Sequence, residues 1–281
     1  MRVAPGVDLY VEDLAGPEPA LLVVHGGPDW DHTYLLDPLA RLAGERRVLL
    51  PDLRGCGRST RGLPVGAYSW PAAAADLLAL LDGYGLARVD VLGFSVGGAL
   101  AQRLAAAAPD RVRRLVLASA SIGPAADAYA GWAERDRRLA AAPPIEAGLT
   151  GPALVEAWAR SSAALDVWRP ELLPDYRRRL DAIRWSGEWL APYEAGLLGP
   201  ARPHDAQARL AATGIPVLLL HGRQDMTFPV SVTEAAAAGA ATMTAWVLED
   251  AGHMAHVDQP ERWLSAVRGF LDGPVPGSGS G

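Results

Sequence analysis

Short apolar runs of strand length recur along the first half of the chain, and each is cut off by turn-forming residues. Ala20-Leu21-Leu22-Val23-Val24 ends at His25-Gly26-Gly27-Pro28, and Arg47-Val48-Leu49-Leu50 ends at Pro51-Asp52. Residues 88–94 and 112–117 repeat the pattern. Helical stretches lie between them. Pro71 to Leu81 is rich in Ala and Leu and starts at a proline, which suits a first helical turn. Val96 to Ala108 is helical and stops before Pro109. Strands alternating with helices predict βαβ units. The expected fold is therefore α/β, a mainly parallel twisted sheet with helices on both faces and right-handed crossovers.

The rhythm changes after Ser121-Ile122-Gly123-Pro124, and no strand pattern returns before Ile215. The intervening residues read as helices broken by prolines. They carry five of the nine tryptophans: Trp132, Trp158, Trp168, Trp185 and Trp189. Alternation resumes with residues 215–220, a helix near 231–238, a strand at 242–248 and a helix at 260–271. The expected organisation is a core of residues 1–123 and 206–272, with a helical lid, 124–205, inserted over one edge of the sheet. Residues 273–281, rich in Gly, Pro and Ser, are expected to be a disordered tail.

Composition narrows the chemistry. Half the residues are apolar and 21% are charged, as in ordinary globular domains. The single cysteine, Cys56, excludes an intrachain disulfide and a cysteine-clustered metal site. A net charge of −6 argues against a generally nucleic-acid-binding or anionic-membrane-binding surface. All 26 basic residues are arginine, which excludes Schiff-base and Walker-type lysines. No apolar run approaches the roughly 18 residues of a membrane span, and the start of the chain lacks a signal-peptide core. The expectation is a soluble, cytoplasmic protein, monomer or homodimer. Its partner is a small-molecule substrate, with no nucleic acid, membrane, metal or organic cofactor.

In open α/β sheets, ligands bind outside the carboxyl ends of the strands. Three strand ends here carry reactive sequence. Gly93-Phe94-Ser95-Val96-Gly97, followed by Gly98, sits between a strand and a helix. That is the context of a nucleophile elbow, whose small residues let strand and helix approach closely. Ser95 is the candidate nucleophile; a serine that merely caps the helix is the plainer alternative. A neutral hydroxyl needs a positioned base. His253 lies in a loop between the last strand and the last helix, and Asp225 follows the strand that ends near His221. The chain order Ser95, Asp225, His253 is that of elbow enzymes. His256 is the rival base, Asp250 and Glu249 are rival acids, and His221 is expected to be structural.

His25-Gly26-Gly27-Pro28 follows the first apolar strand. One oxyanion donor is expected from this loop, Gly27 N–H, and the other is Val96 N–H. His25 is expected to brace the loop. Candidate substrate contacts are Asp29 and Trp30 beyond that loop, Phe94 in the elbow, and Trp132 and Trp158 in the lid. Asp29-Trp30-Asp31-His32 also reads as surface turn chemistry, and each lid indole as simple packing. In Asp52-Leu53-Arg54-Gly55-Cys56-Gly57-Arg58-Ser59, Asp52 and Arg58 are expected to hold the loop by ion pairing and hydrogen bonds. The alternative is that Arg54 or Arg58 meets a substrate carboxylate. Cys56 is expected near the pocket, where bulky modification would block it.

These segments together resemble the α/β-hydrolase fold superfamily over about residues 7–272. Within it, His25-Gly26-Gly27-Pro28 and the segment Asp52–Ser59 look like the proline iminopeptidase group. Two features depart from that group. Asp29 stands where a further glycine is usual, and the elbow Gly93-Phe94-Ser95-Val96-Gly97-Gly98 is closer to generic esterases and lactonases. The resemblance implies a Ser–His–Asp hydrolase with a helical lid; with these two departures, the expected reaction is cleavage of a small ester, lactone or amide through an acyl-enzyme. A peptidase releasing N-terminal proline is the alternative. A free substrate amine would call for acidic lid residues, with Glu134, Glu146, Glu156, Glu171, Glu188 and Glu194 as candidates. A third reading is a ligand-binding or biosynthetic protein on the same fold with little turnover.

Overall fold

The computed structural model describes residues 1–123, 129 and 132–273. Apart from Gly273, the expected tail lies outside these residues, as do residues 124–128, 130 and 131 of the expected lid. A small antiparallel pair, β1 (Arg2–Ala4) and β2 (Val7–Asp8), precedes a seven-stranded sheet. Its members are β3 (Val11–Leu14), β4 (Leu21–Val24), β5 (Val48–Pro51), β6 (Val89–Phe94), β7 (Val112–Ala118), β8 (Val217–Gly222) and β9 (Met243–Leu248). The spatial order is β3-β5-β4-β6-β7-β8-β9. Only β3 runs antiparallel to its neighbour; all the other pairings are parallel.

The expected α/β fold is observed, and the six predicted strands lie within two residues of the predicted positions. The strands before residue 15 were not predicted. They are two to four residues long, and β3 carries Glu12 and Asp13 on a half-exposed edge, so no apolar run marks them. β4, β5 and β8 are buried along their whole length, which explains their unbroken Leu/Val runs.

Alternation along each strand divides the core between the two faces. Leu22, Val24, Val91, Leu117 and Leu219 pack on one face with the helices Trp70–Gly83 and Val96–Ala107. Leu21, Val23, Leu92, Phe94, Val116 and Leu220 pack on the other with the helix Pro260–Asp272. Between β7 and β8 the described residues form the helices Ala133–Ala140, Gly151–Asp166, Leu173–Asp181 and Leu190–Glu194. Helix Ala206–Thr213 then packs on helix Val96–Ala107. This insertion contributes Ala159, Ala163, Tyr176 and Leu180 to the second cluster and Trp189 to the first. No helix among the described residues is long and apolar enough to cross a membrane.

Candidate active site

Ser95 follows β6 directly, with φ 53° and ψ −122°. Such backbone angles in a residue other than glycine cost on the order of 1–3 kcal/mol. The surroundings hold them in place: Ser95 N–H donates to Ala118 O at 3.0 Å, and Gly98 N–H donates to Ser95 O at 2.9 Å. Gly97 permits the approach of helix to sheet, since a Cβ there would collide with the carbonyl oxygens of Val24 and His25. The amino end of helix Val96–Ala107, with its positive dipole end, therefore lies immediately behind the serine.

His253 Nε2 lies 3.1 Å from Ser95 Oγ, and His253 Nδ1 lies 2.9 Å from Asp225 Oδ2. A carboxylate only accepts, so the proton of neutral His253 belongs on Nδ1 and leaves Nε2 free to accept from the serine. Asp225 Oδ1 accepts the N–H groups of Thr227 at 2.7 Å and Phe228 at 2.8 Å. Burial alone would raise the Asp225 pKa, but the facing His253 and His221 hold it well below the usual carboxylate range. Burial likewise opposes charge on His253. The Asp225 carboxylate outweighs it, aided by Asp166, and the pKa ends above its ordinary value.

His221, expected to be structural, packs against the acid. Its Nε2 is 3.1 Å from Asp225 Oδ2 and 2.9 Å from Phe228 O, and its Nδ1 meets Thr233 Oγ1 at 3.1 Å. His256 does not meet the serine. It lies against Phe94, with its Nε2 3.2 Å from Tyr34 O, and burial holds its pKa down at about 3. The rival acid Glu249 pairs with Arg223 instead.

Sequence reasoning missed Asp258. This buried carboxylate accepts Gly252 N–H at 2.7 Å, Trp168 N–H at 2.9 Å and Arg169 N–H at 3.0 Å. On the other side of His253, Met254 N–H donates to Asp166 O at 2.8 Å. The histidine loop is thus bonded to the insertion on both sides of the ring. Asp258 sits just before a helix that begins at Pro260, where an aspartate reads as an ordinary cap, and nothing local announces its remote partners.

The loop after β4 abuts the nucleophile: a Cβ on Gly26 would lie 2.8 Å from Ser95 Cβ. His25 braces it as expected, with Nε2 accepting Leu53 N–H at 3.0 Å. Gly26 N–H donates to the Tyr34 hydroxyl at 2.8 Å, which leaves Gly27 as the loop's candidate oxyanion donor. Asp29, Asp31 and His32 are buried, so the surface-turn reading fails. Asp31, His32 and Asp52 bring their ligand atoms together, as a metal site would. Their oxygens are already engaged. Asp52 Oδ1 accepts from His32 Nδ1 at 2.7 Å and its Oδ2 from Arg58 N–H at 2.8 Å. Asp31 accepts Thr33 N–H at 2.9 Å and Arg184 N–H at 2.8 Å.

The arginine loop differs from expectation in detail. Asp52 bonds the Arg58 backbone, while the Arg58 guanidinium lies over the Tyr10 ring. Arg54 makes a bidentate pair with buried Asp76, with both bonds at 2.6 Å, so it is not available to a substrate carboxylate. Cys56 is fully buried in the core, and burial and the nearby Asp29 charge push its thiol pKa well up. It is therefore not the accessible thiol the sequence suggested.

Beside the loop after β4 lies a cavity of about 530 Å³ whose lining includes none of Ser95, His253 and Asp225. Gly27, Asp29 and Trp30 line it from the sheet side, and Val155, Trp158, Leu165, Trp189 and Tyr193 from the insertion. Asp29, Ser161, Ser162 and the Tyr193 hydroxyl are the polar groups of an otherwise largely apolar lining among the described residues. Phe94 and Trp132, expected to meet substrate, are elsewhere. Phe94 is 1% exposed beneath His253, and Trp132 stacks on Tyr129. A larger hollow of about 640 Å³ around Pro200–Ala211 includes no residue of the loop after β4.

Four of the proposed amine-binding glutamates are tied up. Glu134, Glu156 and Glu171 pair with neighbouring arginines, and Glu188 bonds Tyr68. Among the described residues, the acidic group of the insertion that does approach His253 is Asp166. It bonds Ser162 and Tyr176, and burial raises its pKa to about 6.

Residues 19–260 match the family model described as the alpha/beta hydrolase fold. The proline iminopeptidase of Levilactobacillus brevis is 30% identical over 93% of this chain and 91% of its own. The 2-hydroxymuconate semialdehyde hydrolase of Pseudomonas sp. (strain CF600) is 28% identical over 96% of this chain and 92% of its own. Among solved structures, a thermophilic esterase from Thermogutta terrifontis superposes with a TM-score of 0.70 at 28% identity, covering 94% of this chain and 93% of that one. The chain belongs to the α/β hydrolase fold family and is a serine hydrolase related to the proline iminopeptidases.

Proposed function

We propose that the protein hydrolyses a small ester carrying a bulky apolar acyl group, with Ser95, His253 and Asp225 as its catalytic triad. The observation that carries this reading is the hydrogen-bonded chain from Asp225 through His253 to Ser95 Oγ, beside a loop whose Gly27 lines an apolar cavity. Ser95 Oγ attacks the substrate carbonyl carbon while its proton passes to His253 Nε2. The Gly27 and Val96 amides receive the negative oxygen of the tetrahedral intermediate. Its collapse breaks the bond to the leaving group, which takes the proton from His253. Water then repeats the sequence on the acyl-serine and releases the acid. The insertion serves as a lid over the acyl group, and its apolar lining favours chains or rings over charged groups.

A fluorophosphonate probe tests the nucleophile. Wild type is expected to be labelled and Ser95→Ala is not; a folded, unlabelled wild type removes the reading. Hydrolysis of p-nitrophenyl esters is expected to exceed that of proline p-nitroanilide. Asp166 supports a second reading as an aminopeptidase, because a mostly buried carboxyl beside His253 suits a substrate amine. Much faster release of proline than of ester would select that reading.

A further inference from the structure

We propose that Asp29 is a positioning residue that sets acyl-group selectivity, by fixing the pocket wall of the insertion against the loop that bears Gly27. The proposal rests on the acyl-transfer reading above. Asp29 has φ 78° and is 1% exposed, both unfavourable for an aspartate. Its bonds explain why the side chain is there. Asp29 O accepts Ser186 N–H at 2.9 Å. Asp29 Oδ1 accepts the Ser186 hydroxyl at 2.6 Å and Trp189 N–H at 3.0 Å. Three bonds to a segment some 157 residues away thus converge on one residue, two positions beyond Gly27.

The segment so held is part of the pocket. Trp189, Leu190 and Tyr193 line the cavity, and helix Leu190–Glu194 starts where the anchored turn ends. On the loop side, Trp30 N–H closes the turn onto Gly27 O at 3.1 Å, and the Trp30 indole stands edge-on to Trp185 at 5.0 Å. A shift of residues 186–189 therefore moves one wall of the cavity relative to the Gly27 amide. A substrate senses that shift only if its acyl group is long enough to lie against the wall. An acetyl group has no chain to place there.

The test measures kcat and KM of wild type, Asp29→Gly, Asp29→Asn and Ser186→Ala on p-nitrophenyl acetate and p-nitrophenyl hexanoate. Glycine adopts φ 78° without strain and removes the anchor, whereas asparagine keeps an acceptor oxygen. In Asp29→Gly, the hexanoate-to-acetate ratio of kcat/KM is expected to fall about tenfold, through the hexanoate KM, while acetate kcat stays within about threefold. Ser186→Ala should move the ratio the same way by about two- to threefold, and Asp29→Asn should stay near wild type. An unchanged ratio in Asp29→Gly, or an equal loss on both esters, overturns the proposal. If that variant does not fold, Ser186→Ala decides: a lowered ratio supports the proposal and an unchanged one overturns it. Failure of the fluorophosphonate to label wild type would instead remove the acyl-transfer reading, so the two failures are distinguishable.

Discussion

Across the centre of the sheet, each residue faces a partner fixed by ladder register: Gly93 opposite Leu117, Leu117 opposite Leu219, Leu219 opposite Ala245. The described part of the helical insertion shares no ladder with this sheet. Its backbone reaches the rim through buried carboxylates of the core. Asp258 takes the amides of Trp168 and Arg169, Asp31 takes that of Arg184, and Asp29 takes that of Trp189. Ser95 and Asp225 are thus placed by backbone regularity, while the insertion is placed by these carboxylates together with the apolar packing of Ala159, Ala163, Tyr176, Leu180 and Trp189. Damage to a strand end should therefore act on the chemistry, and damage to an anchoring carboxylate on geometry and selectivity.

The largest expected effect separates the two regions most sharply. Ser95→Ala or His253→Ala should lower kcat about 10⁴-fold or more, and Asp225→Asn about 10³- to 10⁴-fold, with little change in thermal midpoint. A near-normal rate for Asp225→Asn would place the acid elsewhere. Asp258→Asn comes next. It turns an acceptor oxygen into a donor facing backbone amides, and should cost about 2–4 kcal/mol of stability and about 10- to 100-fold in kcat. Denaturant midpoints beside kcat check this; an unchanged pair would show that the histidine loop does not depend on its anchor.

The third effect is a shift along the pH axis. In the proposed mechanism His253 works when its Nε2 is unprotonated, and its pKa is raised by Asp225 and Asp166. The acid limb of kcat/KM should therefore fall above the ordinary histidine value, with activity lost as pH drops through it. Asp166→Asn removes one source of that rise and should move the limb to lower pH. A shift to higher pH would contradict the electrostatic contact. The smallest effect belongs to the outer face of the insertion. Glu134→Gln breaks pairs with Arg137 and Arg138 and should leave kcat at the wild-type value.

The same contrast explains what was legible in the sequence. Strand ends announce themselves locally, because an apolar run must stop and a tight turn needs small residues. Ser95, His253, Asp225 and the His25–Pro28 loop, which the fold brings together, are therefore legible in short windows. Asp29 and Asp258 gave no such signal, since their partners lie about 160 and 90 residues away. Phe94 and Trp132 lie outside the cavity lining, and an aromatic beside reactive residues reads alike whether it faces a ligand or fills the space beneath one. The tryptophans of the insertion divided between the two roles. Trp158 is 41% exposed at the cavity, whereas Trp189 lines it and also stacks on Trp70 at 4.7 Å.

The core position of Cys56 has a practical use. Its thiol is inaccessible to reagents that attack surface sulfhydryls, so a single cysteine introduced at exposed Tyr193 would take one fluorophore and no second label. Quenching of that dye by the neighbouring indoles would then report any change in the cavity wall on substrate binding, on a chain otherwise silent to maleimide chemistry.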